Sequence, residues 1–157
     1  MSTQTLFQSL LLLHIIGLLL FAGTTVVDAV IFRQFWKQYD RGRAGAGIVL
    51  QAMSPFMLLM RAGIGLIILT GVGMMAMTHG VFGEQLWFRI KFGLVLLLII
   101  NALAFGGRQR NRLQKAMAAG DSNTNDMVLL KGRLNTFHIV QLALLFVVIL
   151  LSVFKFS

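Results

Sequence analysis

Four long apolar runs constrain this chain more than anything else in it. They extend from about Leu6 to Phe32, Ile48 to Met77, Leu86 to Phe105 and Leu134 to Phe154, and each reaches the roughly 20 residues that a helix needs to cross the hydrocarbon core of a bilayer. They are too long for buried strands and lack the alternation of half-buried ones. Composition points the same way. Of the 157 residues, 57% are hydrophobic and 12% charged, against about half and about a quarter in a soluble domain. That balance excludes a soluble fold, and it excludes a disordered chain as well. The absence of cysteine excludes disulfides, iron–sulfur clusters and thiolate zinc sites. These features predict an all-α integral membrane protein, a single transmembrane domain over residues 1–157 folded as an up-down four-helix bundle. Spans two and three, joined by a short turn, are expected to form an antiparallel hairpin.

The charges orient the spans. The formal charge of +9 comes from 14 basic against 5 acidic residues. Arg33, Lys37, Arg41 and Arg43 fall in the first linker, and Arg108, Arg110, Arg112, Lys115, Lys131 and Arg133 in the third. The turn from Thr78 to Gln85 has no Lys or Arg. Cytoplasmic loops are enriched in basic residues, so both basic linkers are expected inside and both termini outside. Topology and contact with anionic lipid then account for the charge, and nucleic acid is not needed as a partner. The first span is expected to be retained rather than cleaved, because residues 1–5 carry no basic side chain and the apolar run continues well past Phe21. The Gly, Asp, Asn and Ser cluster within residues 116–127 reads as a loop, and Arg108 to Ala119 as an extension of the third helix.

Ionisable side chains inside a span are costly and usually face the bundle interior. Here they are His14, Asp28, Arg61, Lys91 and His138. Counting helical rise, His14 and Lys91 form an outer-half layer at depths of roughly 12 and 8 Å. Asp28, Arg61, Asn101, His138 and Gln141 form an inner-half layer. His14 is either a hydrogen-bonding group between helices or a haem ligand through a ring nitrogen. Gly17 nearby admits either a closely packed helix or a flat ligand. Lys91 either snorkels to the outer surface or points inward, where an unprotonated amine ligates iron or accepts a proton. Arg61 is always charged, so it is expected to pair with Asp28 or to clamp an anionic group such as a porphyrin propionate or a lipid phosphate. His138 is separated from His14 by roughly 10 Å in depth, which disfavours a two-histidine sandwich. Trp87 reads as an interfacial anchor and His79 as a solvated residue of the outer turn. Gly63, Gly65, Gly71 and Gly73 lie within a span rather than after a strand, and fit helix packing better than a dinucleotide loop. The sequence carries no Ser/His/Asp set, HExxH motif or Walker loop.

Two of these neighbourhoods resemble a known family. His14-Ile15-Ile16-Gly17, followed by Phe21-Ala22-Gly23, resembles the first span of the HemJ-type protoporphyrinogen oxidases and their CopD-like relatives. Trp87-Phe88-Arg89-Ile90-Lys91, running into Phe92-Gly93-Leu94, resembles that family's third span, and Arg133-Leu134-Asn135 its entry to the fourth. The resemblance implies a b-type haem and functional roles for His14 and Lys91, His14 as the axial iron ligand and Lys91 as a second ligand or proton acceptor. Arg61 would hold a propionate, and Gly17 and His138 are further candidates at the cofactor. Oxidation of protoporphyrinogen IX in a bacterial inner membrane is the implied activity, with a porphyrin as substrate. Two alternatives remain open. One is a non-catalytic subunit or assembly factor of a larger membrane complex, and the other is a CopD-like metal-handling transporter, which four helices would assemble as a homo-oligomer.

Overall fold

The computed structural model describes residues 2–42, 45–78, 85–119 and 124–153, and every regular element among them is a helix. His79, with residues 80–84 of the outer turn, and the Trp87 side chain lie outside that set. Helix α1 spans Thr3–Arg41, 39 residues or roughly 60 Å at the α-helical rise, about twice the hydrocarbon thickness. It is capped at the start by the Ser2 hydroxyl, which accepts the Thr5 N–H at 3.2 Å. It stops at Gly42, whose φ of +138° is a conformation that residues with a Cβ rarely adopt. The second apolar run divides into α2, Ala46–Ala52, and α3, Ser54–Met77. The break falls at Met53, two residues before Pro55, which has no N–H to continue α2 but fits the first turn of α3, where that donor would be unpaired anyway.

Helix α4, Leu86–Ile100, runs into a π-helical segment, Asn101–Gly106, and then α5, Gly107–Ala119. Helix α6 covers Thr124–Val153. Among the described residues four helical stretches are therefore long and apolar enough to cross a membrane, and the chain is an all-α, multi-pass membrane four-helix bundle. The helices overrun the apolar runs at one end: α1 continues nine residues past Phe32, α5 carries the third span to Ala119, and α6 begins ten residues before Leu134. Charged residues interrupt apolarity there without interrupting helicity, since Lys, Arg and Gln are good helix formers. Of residues 116–127, expected to be a loop, 116–119 and 124–127 are helical, and 120–123 lie outside the described residues.

The principal packing is α1 against α3 and α4 against α6, rather than the hairpin of α3 with α4 that chain order leads one to expect. Small residues explain the first pair. A Cβ on Gly17 would sit 2.9 Å from Leu66 Cβ, and one on Gly63 would sit 2.8 Å from the Phe21 nitrogen. The two backbones approach as closely as they do because neither position has a side chain. The core divides in two. One part, in mid-bundle, gathers Phe21, Ile64, Leu98, Ala102, Leu145 and Val148. The other fills the basic end, where Phe32, Phe35, Trp36, Leu50, Leu113, Leu130 and Leu134 bury one another. Outward-facing residues such as Leu19, Leu58 and Phe146 give the bundle an apolar outer surface compatible with lipid.

Candidate functional site

The inner polar layer is organised around Asp28. This residue is 4% exposed. Arg110 donates from Nη2 to its Oδ1, and His138 donates from Nε2 to its Oδ2 at 3.1 Å. The other His138 nitrogen, Nδ1, donates to the Leu134 carbonyl at 2.7 Å. Phe32 stacks on the imidazole with centroids 4.6 Å apart. Each contact follows from helix geometry. Leu134 lies one turn before His138 on α6, and Phe32 one turn after Asp28 on α1, so both neighbours fall on the same face as the residue they support. The space enclosed by this cluster is about 10 Å³, room for one water at most.

Arg110 reaches Asp28 because the third span does not end where its apolar run ends. The π segment widens the helix by about one residue per turn and shifts the register of α5 relative to α4. It is held by Asn101, which donates from Nδ2 to Gln141 Oε1 at 2.7 Å, while Gln141 donates to the Leu98 carbonyl at 3.4 Å. At its far end Gly106 makes room for the Phe137 ring, whose Cζ would lie 2.8 Å from a Cβ there.

These contacts correct three sequence expectations. Arg61 does not pair with Asp28; it is exposed on α3, and both carboxylate oxygens are taken by other donors. The reason is azimuth rather than depth. Gly63 and Ile64 face the interior, and Arg61, two positions before Gly63, lies about 200° round the helix from it. His138 is not available as a metal ligand, since both ring nitrogens are engaged with oxygen acceptors. Gly17 is occupied by α3, so the close approach it permits is that of a helix and not of a flat ligand.

The outer layer is built differently. His14, half-buried on α1, places Nδ1 2.8 Å from Thr70 Oγ1 on α3. The Thr70 hydroxyl gives its own proton to the Leu66 carbonyl one turn back. Its oxygen is therefore the acceptor, and the imidazole donates from Nδ1. In that tautomer Nε2 keeps a lone pair, the arrangement in which a histidine ligates a metal while a second group fixes its ring. Gly71 lies beside the ring, with His14 Cε1 3.6 Å from the position of a Cβ there. Lys91, also half-buried, comes from α4 to within electrostatic reach of the same ring. Two residues singled out from the sequence thus share one region of the bundle, and Arg61 and His138 do not join them. Arg61 lies ten positions from Gly71, about 15 Å along α3, beyond the half-width of a porphyrin ligated at His14.

Thr70 and Arg110 are the contributors that reading the sequence missed. Threonine within a helix ordinarily satisfies itself on its own backbone, and Arg110 stands in a run of basic residues that topology already explains. Among the described residues no three His, Asp or Glu side chains come together as a metal-binding group. A haem differs in its needs: its ring supplies four ligands and the protein one or two, of which His14 Nε2 could be one. Comparison with protein families, with curated proteins and with solved structures finds no match to this chain.

Proposed function

We propose that this protein holds a b-type haem in the outer half of its bundle and uses it for redox chemistry on a porphyrin, the oxidation of protoporphyrinogen IX, in a bacterial inner membrane with both termini outside the cytoplasm. The observation that carries this reading is the hydrogen bond from His14 Nδ1 to Thr70. It orients the imidazole and reserves Nε2 as a donor to iron. Bound there, the haem would supply the electron transfer, and the protein would tune it. Thr70 fixes the ring. Lys91, on a different helix, would help hold the haem or take up a proton released by the substrate. Leu10, packed one turn before His14 against Gly73, helps keep water from that level of the helix pair.

The absorption spectrum of the detergent-purified protein tests this. A Soret band is expected, and His14→Ala is expected to remove it while the bundle stays folded. Protein that stays colourless after growth with added haem, or a band indifferent to His14→Ala, overturns the reading. A second reading, a non-catalytic subunit or assembly factor, is favoured by the closed state of the Asp28 cluster, which leaves no room for a ligand. Under it the folded protein is colourless and co-purifies with a larger membrane complex.

A further inference from the structure

At the basic end a cavity of about 350 Å³ opens between α5 and α6, a volume within the range of small-ligand sites. Met127, Leu129 and Leu130 form its apolar wall, and Arg112, Arg133 and Asp126 line its edge. None of the ion pairs among the described residues uses these three charged groups. Asp126 has a local explanation, since it stands in the first turn of α6, where the helix dipole favours a carboxylate. The two arginines have none. Arg110, two positions before Arg112, turns inward to Asp28, whereas Arg112 and Arg133 come from different helices to one cavity and leave it with an excess of positive charge. Guanidinium groups grip phosphoryl oxygens in bidentate fashion. Arg133 also immediately precedes the apolar run that begins at Leu134, which sets the cavity at the level of lipid headgroups. Basic pockets between membrane helices at that level are suited to them.

We propose that this cavity is a phosphate-ester site, in which Arg112 and Arg133 hold the phosphoryl oxygens and Met127, Leu129 and Leu130 take the hydrocarbon part of the ligand. A phospholipid headgroup and a soluble phosphate ester share this chemistry. The site is separate from the His14 region and does not depend on the haem reading.

Native mass spectrometry of the full chain in neutral detergent tests the proposal. Titration with dioleoylphosphatidylglycerol is expected to leave one lipid bound, and dioleoylglycerol, which lacks the phosphate, is expected to be lost. Arg112→Gln and Arg133→Gln should each lower lipid affinity roughly fivefold, the effect of one arginine near a headgroup. Asp126→Asn, which removes the negative charge at the edge, should raise it. Arg41→Gln, exposed at the end of α1 and outside the cavity, should leave it unchanged. Lipid retained in excess sn-glycerol phosphate assigns the site to the membrane; lipid displaced by it at comparable concentration assigns the site to soluble esters, through the same two arginines. Equal binding of dioleoylglycerol, an Arg41→Gln loss as large as that of Arg112→Gln, or weaker binding in Asp126→Asn overturns the proposal.

Discussion

Two polar clusters share this bundle and are built on opposite terms. At the basic end both oxygens of Asp28 and both nitrogens of His138 are engaged, and the enclosing side chains leave room for a single water. In the other half of the bundle His14 and Lys91 are only half-buried, and the imidazole spends one nitrogen on Thr70 and keeps the other. The first cluster has no chemistry left to offer, so its charges serve to fix how α1, α5 and α6 meet. The second has a lone pair and an amine to spare. An ionisable residue inside a membrane span is ordinarily a functional candidate; here the difference between the two lies in how many of their hydrogen-bonding positions the protein itself has filled.

The largest expected effect breaks the closed cluster. Asp28→Asn removes the charge that holds Arg110 and His138, and loss of one partner from a buried ion pair costs about 3–5 kcal/mol. Unfolding of the detergent-solubilised protein by heat or denaturant measures it. The triple replacement Asp28→Leu, Arg110→Met and His138→Phe leaves no charge unpaired and should cost less than Asp28→Asn alone. If Asp28→Asn instead costs under about 1 kcal/mol, water already screens the cluster and the contrast fails.

Next comes the seam on which the open cluster is mounted. Gly63→Ala places a methyl group 2.8 Å from the Phe21 nitrogen and 2.9 Å from the Gly17 carbonyl, both backbone atoms that cannot rotate away. The helices must part, at a cost of about 1–3 kcal/mol. That separation should also pull Thr70 from His14. Gly23→Ala on α1 meets nothing within 4 Å and should be neutral or stabilising by up to about 1 kcal/mol, the gain of alanine over glycine in a helix. Comparable losses from the two substitutions would show that α1 and α3 are not held by this close crossing.

Thr70→Val probes the open cluster directly, because it keeps the shape of the side chain and removes the acceptor for His14 Nδ1. On the haem reading, losing a group that orients a metal-ligating histidine lowers haem retention by about 10–100-fold, measured by competition with a haem-binding apoprotein. Folding stability should fall by only about 1 kcal/mol, the worth of one hydrogen bond. Unchanged retention would detach Thr70 from the site and leave the bond as plain helix packing.

The sequence disclosed depth far better than direction. Four spans were legible because apolar length is a one-dimensional property, and His14 and Lys91 stood out as ionisable groups at similar depth on different helices. The pairing of Arg61 with Asp28 failed for the same reason: their depths agree, but Arg61 lies on the outer face of α3, and no run of hydropathy states which way a helix is turned. The true partner, Arg110, was hidden by a π segment that carries helical structure from apolar residues into charged ones. Gly17 disclosed that something would approach α1 closely, but not whether a helix or a flat ligand; it is α3.

The smallest effect sharpens the comparison from its other side. Asp40 and Lys131 form the same kind of pair as Asp28 and Arg110, between α1 and α6, at 3.0 Å. Their side chains are 58% and 44% exposed, so water solvates both charges and salt screens them. Lys131 also rests over the Trp36 ring, 5.2 Å from its centroid, a contact that survives the loss of the carboxylate. Asp40→Asn should therefore change unfolding stability by no more than about 0.5 kcal/mol, and by less still in high salt, whereas the Asp28→Asn loss should persist there. If the two aspartates respond alike, burial does not separate them, and the basic end is a solvated surface rather than a closed lock on three helices.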